Sequence, residues 1–332
     1  MKTLLYEKLS RNRVKCETCH HYCVIAPGER GRCGVRENKN GTLYTLVYPF
    51  IVARGIDPVE KKPFFHIKPG SSSFSIASAG CNFTCTFCQN AHISKFPSPA
   101  RNMETTPKEL VNQALYNGCQ SIACTYTEPT VYFELALETA MLAKEKGLLN
   151  LFVTNAYMSP QVIHKMAPYV DGANVDLKAF NDNFYRTVCG GRLEPVKQNI
   201  ILMKSLGILV EVTTLIIPGY NDDRDEIISM AAFIAEKLGN ETPWHISRFF
   251  PCHGMDHVPV TPDATLEMAL QAGKDAGLQY VYIGNAPSLG REDTCCHNCG
   301  EIVIKRLAYK TENRMTTAGK CPLCNTGVHG IF

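Results

Sequence analysis

Seven apolar, β-branched runs recur through the middle of the chain. Between them lie six stretches whose apolar residues repeat at helical spacing. The runs are SFSIASA (73–79), SIACTY (121–126), NLFVTN (150–155), GANVDL (172–177), ILVEVTTLII (208–217), WHISRFF (244–250) and YVYIG (280–284). Runs this apolar predict strands covered on both faces. The helical stretches carry their own punctuation. TPKELVNQALYNG has Thr106 as N-cap, Pro107 at the first helical position and Gly118 as its stop. TVYFELALETAMLAKEKG, SPQVIHKMAPY, EPVKQNIILMKSLG, RDEIISMAAFIAEKLG and TPDATLEMALQAGKDAG follow the same grammar. Strict alternation implies a parallel sheet with right-handed crossovers. About six convincing units fit an α/β partial barrel of the (βα)6 type better than an open sheet.

Residues outside this pattern divide the chain into three regions. Residues 1–70 form a cysteine-rich module with turn-rich text (APGERGRCG, NKNG) and short strand-like runs. Residues 71–290 form the partial barrel, and residues 291–332 a second cysteine-rich module. Of the 332 residues 45% are hydrophobic and 20% charged, which excludes a disordered chain. A net charge of +3 demands neither nucleic acid nor an acidic membrane as partner. No apolar run approaches the roughly 20 residues of a membrane helix. MKTLLYEKLSRNRVK has no apolar leader core or small-residue cleavage site, so a soluble, cytoplasmic protein is expected. Phosphate-binding glycine loops are not evident either.

Sixteen cysteines are many for such a chain, and a cytosolic address argues against a disulfide framework. Cys119, Cys124, Cys189 and Cys252 are scattered and read as small buried hydrophobes. The others cluster. Cys81, Cys85 and Cys88 form C-x3-C-x2-C directly after the first barrel strand, at the rim where such barrels carry chemistry. Chance supplies this triplet about 0.04 times at this cysteine frequency. Three thiolates on a tight loop suit an iron–sulfur cluster with one iron left open. A zinc site completed by His92 is the alternative.

This triplet, in this position, resembles the radical S-adenosylmethionine (SAM) superfamily. The resemblance implies that Cys81, Cys85 and Cys88 hold a [4Fe-4S] cluster whose open iron chelates SAM. Reductive cleavage of SAM would then give a 5′-deoxyadenosyl radical that abstracts hydrogen from substrate. Phe87 would pack beside adenine. YTEP (126–129) stands where the family has a GGE-like motif, with Glu128 facing the SAM amino group; Tyr126 and Thr127 replace both glycines. TNA (154–156), with Asn155, resembles the TNG of glycyl-radical activating enzymes, and VDLK (175–178) their DLK, with Asp176 and Lys178 approaching SAM. IIPGYNDD (216–223) resembles the activase segment after the fifth strand, where its acids would also serve as helix caps. Over essentially the whole chain, CETCHHYCVIAPGERGRCGVRENKNG, DPVEKKPFFHIKPG, PWHISRFFP and YVYIGNAP are similar to the AmmeMemoRadiSam-system radical SAM enzymes, often labelled pyruvate formate-lyase activating-like.

That likeness implies a protein or peptidyl substrate, with Memo- or AMMECR-family partners and a reduced flavodoxin- or ferredoxin-type electron donor. Modification of a small molecule or a side chain is an alternative activity. A zinc-stabilised scaffold binding RNA or protein is the non-enzymatic one. Cys16, Cys19, Cys23 and Cys33 (C-x2-C-x3-C-x9-C) would bind zinc, or an auxiliary iron–sulfur cluster, with His20 and His21 beside them. Cys296-x2-Cys299 and Cys321-x2-Cys324 flank the strand-like EIVIKRLAY, the pattern of a zinc ribbon; a one-residue slip would make Cys295 a ligand. His245 is a candidate SAM or substrate contact, with Arg248, His253 and Asn285 near the same rim.

Overall fold

The computed structural model describes residues 1–95, 103–307 and 309–332. Its centre is an eight-stranded sheet: β1 (Ala53–Pro58), β2 (Ser72–Ala77), β3 (Ser121–Cys124), β4 (Leu149–Thr154), β5 (Gly172–Asp176), β6 (Leu209–Ile216), β7 (Trp244–Arg248) and β8 (Val281–Gly284). Neighbours in the sheet follow chain order from β8 to β1. Strands β2 to β8 are parallel, and β1 lies antiparallel to β2 with Ala53 opposite Ala77. All seven predicted strands therefore form in the predicted order. The α/β class and the mostly parallel sheet follow.

Six helices make the crossovers: α1 (Pro107–Tyr116), α2 (Phe133–Glu145), α3 (Pro160–Met166), α4 (Leu193–Ser205), α5 (Arg224–Phe233) and α6 (Asp263–Asp275). Their starts show why the sequence folds locally as it does. Thr106 caps α1 through its side chain to Glu109 N, and the Glu109 carboxylate returns to Thr106 N, a full capping box. Ser159 and Asp223 cap α3 and α5 more simply, their side chains accepting from Val162 N and Glu226 N. One apolar core fills the space between sheet and helices, from Ile76 and Leu110 to Trp244 and Leu266. Among the described residues no helix is long and apolar enough to cross a membrane.

The expected boundary at residue 70 moves. Strand β1 belongs to the first predicted module by position but to the main sheet by pairing, through six register pairs with β2. The residues before it form two small antiparallel sheets, one from Tyr6–Lys8, Val14–Cys16 and Val24–Ile25, the other from Arg36–Lys39 and Thr42–Thr45. An ion pair ties this segment to α2: Arg36 donates to both Glu134 oxygens at 2.8 Å, with both side chains almost wholly buried.

At the other end, Thr294–Cys295, Ile302–Leu307 and Lys310–Asn313 form a three-stranded antiparallel sheet. It packs on the main body through a small cluster of Phe65, Tyr280, Tyr282, Val303 and Ile304. A buried polar network underlies that contact. Glu211 accepts from Phe65 N, His66 N and His245 Nε2, and His66 Nε2 meets Tyr282 Oη at 2.7 Å.

Candidate active site and metal centres

The loop carrying Cys81, Cys85 and Cys88 leaves the C-terminal end of β2 and is gripped from several sides. Thr84 N and Thr86 N donate to the carbonyls of Cys189 and Val188 at 2.8 and 3.2 Å. Asn90 Nδ2 donates to Tyr126 O at 2.8 Å, and Lys95 Nζ reaches the carbonyls of Thr84 and Cys85. His21, from the N-terminal segment, meets Asn82 O at 2.7 Å. Two glycines make the close approach of 189–191 to this loop possible. A Cβ on Gly190 would stand 2.4 Å from Thr84 Oγ1, and one on Gly191 2.4 Å from Phe83 Cε1. Phe83 is buried between Tyr157 and Tyr185, so its ring has no room to retreat.

Side chains from the ends of β4 and β5 converge on the same loop. Asn155, just past β4, donates through Nδ2 to Asn82 Oδ1 at 2.8 Å and lies 3.9 Å from Cys81 Sγ. Its own Oδ1 accepts from Tyr157 N, which fixes the amide. Lys178, two residues past β5, pairs with Asp176 at 2.9 Å and sits 5.7 Å over the Phe87 ring. Burial would lower the Lys178 ammonium, but Asp176 and the Cys85 thiolate hold it well above the ordinary lysine range. Asn221 carries the Lys178 carbonyl at 2.6 Å.

Glu128 plays a different part from the one its motif implies. It is 3% exposed, and its carboxylate accepts from Thr130 N, Thr130 Oγ1, Thr154 Oγ1 and Asn155 N at 2.6–3.0 Å. Those bonds lock the ends of β3 and β4 together and set the Asn155 backbone. Burial raises the Glu128 carboxyl despite these donors. The glycines that YTEP and TNA lack left a mark: Tyr126 and Ala156 take φ of +62° and +52°, the left-handed region where glycine rests without strain. Tyr126 then directs its hydroxyl to Asp57.

The cysteine thiols differ in electrostatics. Cys85 is drawn down to about 7, first by a hydrogen bond from Cys189 and, against burial, by Lys178. Cys81 is pushed well above the usual thiol range by burial and then by Glu128. A three-thiol set beside Lys178 and Lys95 fits an anionic iron–sulfur cluster: soft donors bind the irons and the cations offset its charge.

Cys296, Cys299, Cys321 and Cys324 form a compact group. Their sulfurs all lie within 4.8 Å of one another, with Cys296–Cys324 at 3.5 Å and Cys299–Cys321 at 3.6 Å. Four thiolates about a single tetrahedral ion at Zn–S of about 2.3 Å would stand about 3.8 Å apart, so one metal ion fits. Cys295 is exposed and outside the group, which settles the one-residue ambiguity in favour of Cys296. Cys16, Cys19, Cys23 and Cys33 line one cavity together with Arg36 and Thr130.

Some expectations change. His245 is 4% exposed, bonded to Glu211 and stacked on Tyr282; its partners belong to the network under the C-terminal sheet, not to the cysteine loop. The alternation along β7 allowed either face, and the buried Glu211 decided it. Asp222 and Asp223 serve Gly219 N and Glu226 N as turn and cap. Asn285 donates to Ser247 Oγ, and Arg248 pairs with Asp263. Two scattered cysteines are more than core filler: Cys189 contacts Cys85, and Cys252 Sγ reaches Phe87 O at 3.4 Å. Asn82, Lys95 and the Gly190-Gly191 pair were not anticipated, nor was the reach of His21 to the Cys81 loop. Only the double glycine after Cys189 carries any sequence signal for a close approach.

Residues 75–231 match the family model described as Radical SAM superfamily. The chain is 44% identical over 328 residues to the "Uncharacterized protein MJ0808" of Methanocaldococcus jannaschii, covering 97% of both. It is 27% identical to the "Putative glycyl-radical enzyme activating enzyme MJ1632" of the same organism, over 50% of this chain and 64% of that one. Among solved structures, Streptococcus suis SuiB bound to S-adenosylmethionine superposes with a TM-score of 0.50 at 16% identity, covering 62% of this chain and 48% of that one. That likeness concerns the fold alone.

Proposed function

We propose, for a chain that belongs to the radical SAM superfamily, that it is an enzyme acting on a protein or peptidyl substrate by hydrogen abstraction. The observation that carries this reading is the clamped loop of Cys81, Cys85 and Cys88, with Asn155 at one side and the Asp176–Lys178 pair at the other. Those three cysteines would hold a [4Fe-4S] cluster with SAM on its open iron. When bound, the cluster would supply the one electron for reductive cleavage of SAM into methionine and the adenosyl radical that takes the substrate hydrogen.

The chain's residues have the remaining work. Asn155 offers an amide fixed at both ends, one edge of it facing Cys81. Glu128 positions that amide through its backbone. Asp176, 37% exposed at the side chain, offers a carboxylate oxygen for a ribose or amino group, while Lys178 holds it in place. Phe87, buried against Phe184, offers an aromatic face. In this reading strands β2 to β8 curve into a partial barrel, with the cysteine loop at its mouth. Cys296, Cys299, Cys321 and Cys324 hold zinc as a ribbon-like module, with a boundary near residue 291.

The activase relative at 27% identity and the VDLK stretch favour a glycyl-radical-activase-like reaction in the cytoplasm, supplied by a flavodoxin- or ferredoxin-type donor. Memo- and AMMECR-family proteins are the first partners to try, from the likeness of the long motifs.

The test is oxygen-free reconstitution with iron and sulfide, followed by SAM and a strong reductant. A reduced-cluster spin resonance signal that shifts on adding SAM, with 5′-deoxyadenosine released, is expected. Cys85→Ala should abolish both. A wild-type cluster whose spectrum ignores SAM would refute the proposal. Stoichiometric cleavage with a persistent doublet on the partner would mark activation, and a stable mass shift would mark side-chain modification.

A further inference from the structure

Cys296, Cys299, Cys321 and Cys324 draw their sulfurs within 4.8 Å of one another, as a single ion requires. Among the described residues this is the group that meets that spacing; no three of Cys16, Cys19, Cys23 and Cys33 do. Nor do Cys81, Cys85 and Cys88, the set read above as cluster ligands. Yet the N-terminal four are no scatter. All of them line one cavity, with Arg36 among its other lining residues. A cavity shared by four thiols that do not close to single-ion spacing suits a polynuclear centre, because a four-iron cube sets its terminal sulfurs about 6 Å apart.

We infer that Cys16, Cys19, Cys23 and Cys33 hold a second iron–sulfur cluster, against the sequence-based preference for zinc there.

Its place gives it meaning. The Cys33 carbonyl would stand 3.1 Å from a Cβ on Gly80, the residue before Cys81. His21, between Cys19 and Cys23, bonds the carbonyl of Asn82, the residue after Cys81. The two cysteine loops therefore touch on both sides of Cys81. Cys19 also bridges to Met158, beyond Asn155. Arg36 faces Cys16 and Cys33 from the buried side, a fixed cation for an anionic centre. With four thiolates every iron is capped, so this centre offers no corner to a sulfonium. Its chemistry would be one-electron storage: it would take one electron from a low-potential protein donor of the iron–sulfur or flavin class and pass it to the cluster that Cys81, Cys85 and Cys88 would hold, with no bond made or broken. This role rests on the reading of Cys81, Cys85 and Cys88; the presence of the cluster does not.

The test separates the two. The full chain with Cys81→Ala, Cys85→Ala and Cys88→Ala, prepared without oxygen and with iron and sulfide supplied, should retain about four irons and four sulfides. It should give a reduced spin resonance signal unmoved by SAM. Should that variant fail to fold, Cys16→Ser/Cys33→Ser in the native loop gives the complementary result: iron falls from about eight to about four while the SAM-responsive signal stays. The inference is overturned if the triple variant carries two zinc ions and no iron, or if the double variant loses no iron. If the wild type holds about four irons, all lost on replacing Cys16 and Cys33, the second cluster stands and the catalytic reading fails.

Discussion

Replacing Arg36 by leucine leaves the Glu134 carboxylate buried without its cation. The native pair is geometrically strong: two N–H donors at 2.8 Å, with side-chain exposures of 2% and 1%. Removing one partner of such a pair costs about 3–5 kcal/mol, because the other charge stays desolvated. In a chain of this size that lowers the melting temperature by about 4–7 °C. The pH dependence carries the sharper test. In the wild type burial alone would raise Glu134, but Arg36 overrides burial and holds it below the ordinary range. A depressed carboxyl stabilises the fold above its unfolded value of about 4.5, and loses that contribution as pH falls through its folded value. In Arg36→Leu only backbone donors such as Leu4 N still oppose burial, and the folded value should rise above 4.5. The deficit is then largest near pH 8 and shrinks toward pH 5.5 as the carboxyl takes a proton. Urea titration followed by circular dichroism, without oxygen, measures it. Arg36→Leu/Glu134→Leu should recover most of the loss, since an apolar pair needs no cation. A deficit under about 1 kcal/mol, or one flat across this range, refutes the reasoning.

Three further outcomes follow from the same geometry. Gly191→Ala places a methyl 2.4 Å from Phe83, which should cost about 1–3 kcal/mol and lower iron retention in the loop, read by iron analysis and melting. His66 is wholly buried, and burial pulls it from 6.5 down to about 4. The unfolded chain therefore binds its proton first, so stability should fall by up to about 3 kcal/mol as pH drops from 6.5 to 4. His66→Gln should flatten that slope by one proton; equal slopes would contradict the assignment. Stripping metal from Cys296, Cys299, Cys321 and Cys324 with a strong chelator should release one ion and expose Tyr280 and Tyr282. Loss of hydrogen-exchange protection across Ile302–Leu307 would report it.

The linear sequence determined the elements and the chemistry that depends on local spacing. Strand and helix periods, Thr106 and Ser159 as caps, and the thiol spacing of the triplet all act over a few residues, so no partner elsewhere could overrule them. The tertiary structure decided whatever depends on which distant group a side chain meets. Strand β1 joined the main sheet because β2 had an open edge, which no local pattern announces. His245 turned to Glu211, and Glu128 to Thr154 and Asn155, because a buried carboxylate must collect its donors wherever the fold supplies them. Cys189 and His21 reached the cysteine loop from 104 and 60 residues away, counted to Cys85 and Cys81 along the chain. The closing of Cys296, Cys299, Cys321 and Cys324 to single-ion spacing is likewise a distance in space, set by packing around the thiols rather than by the residues between them.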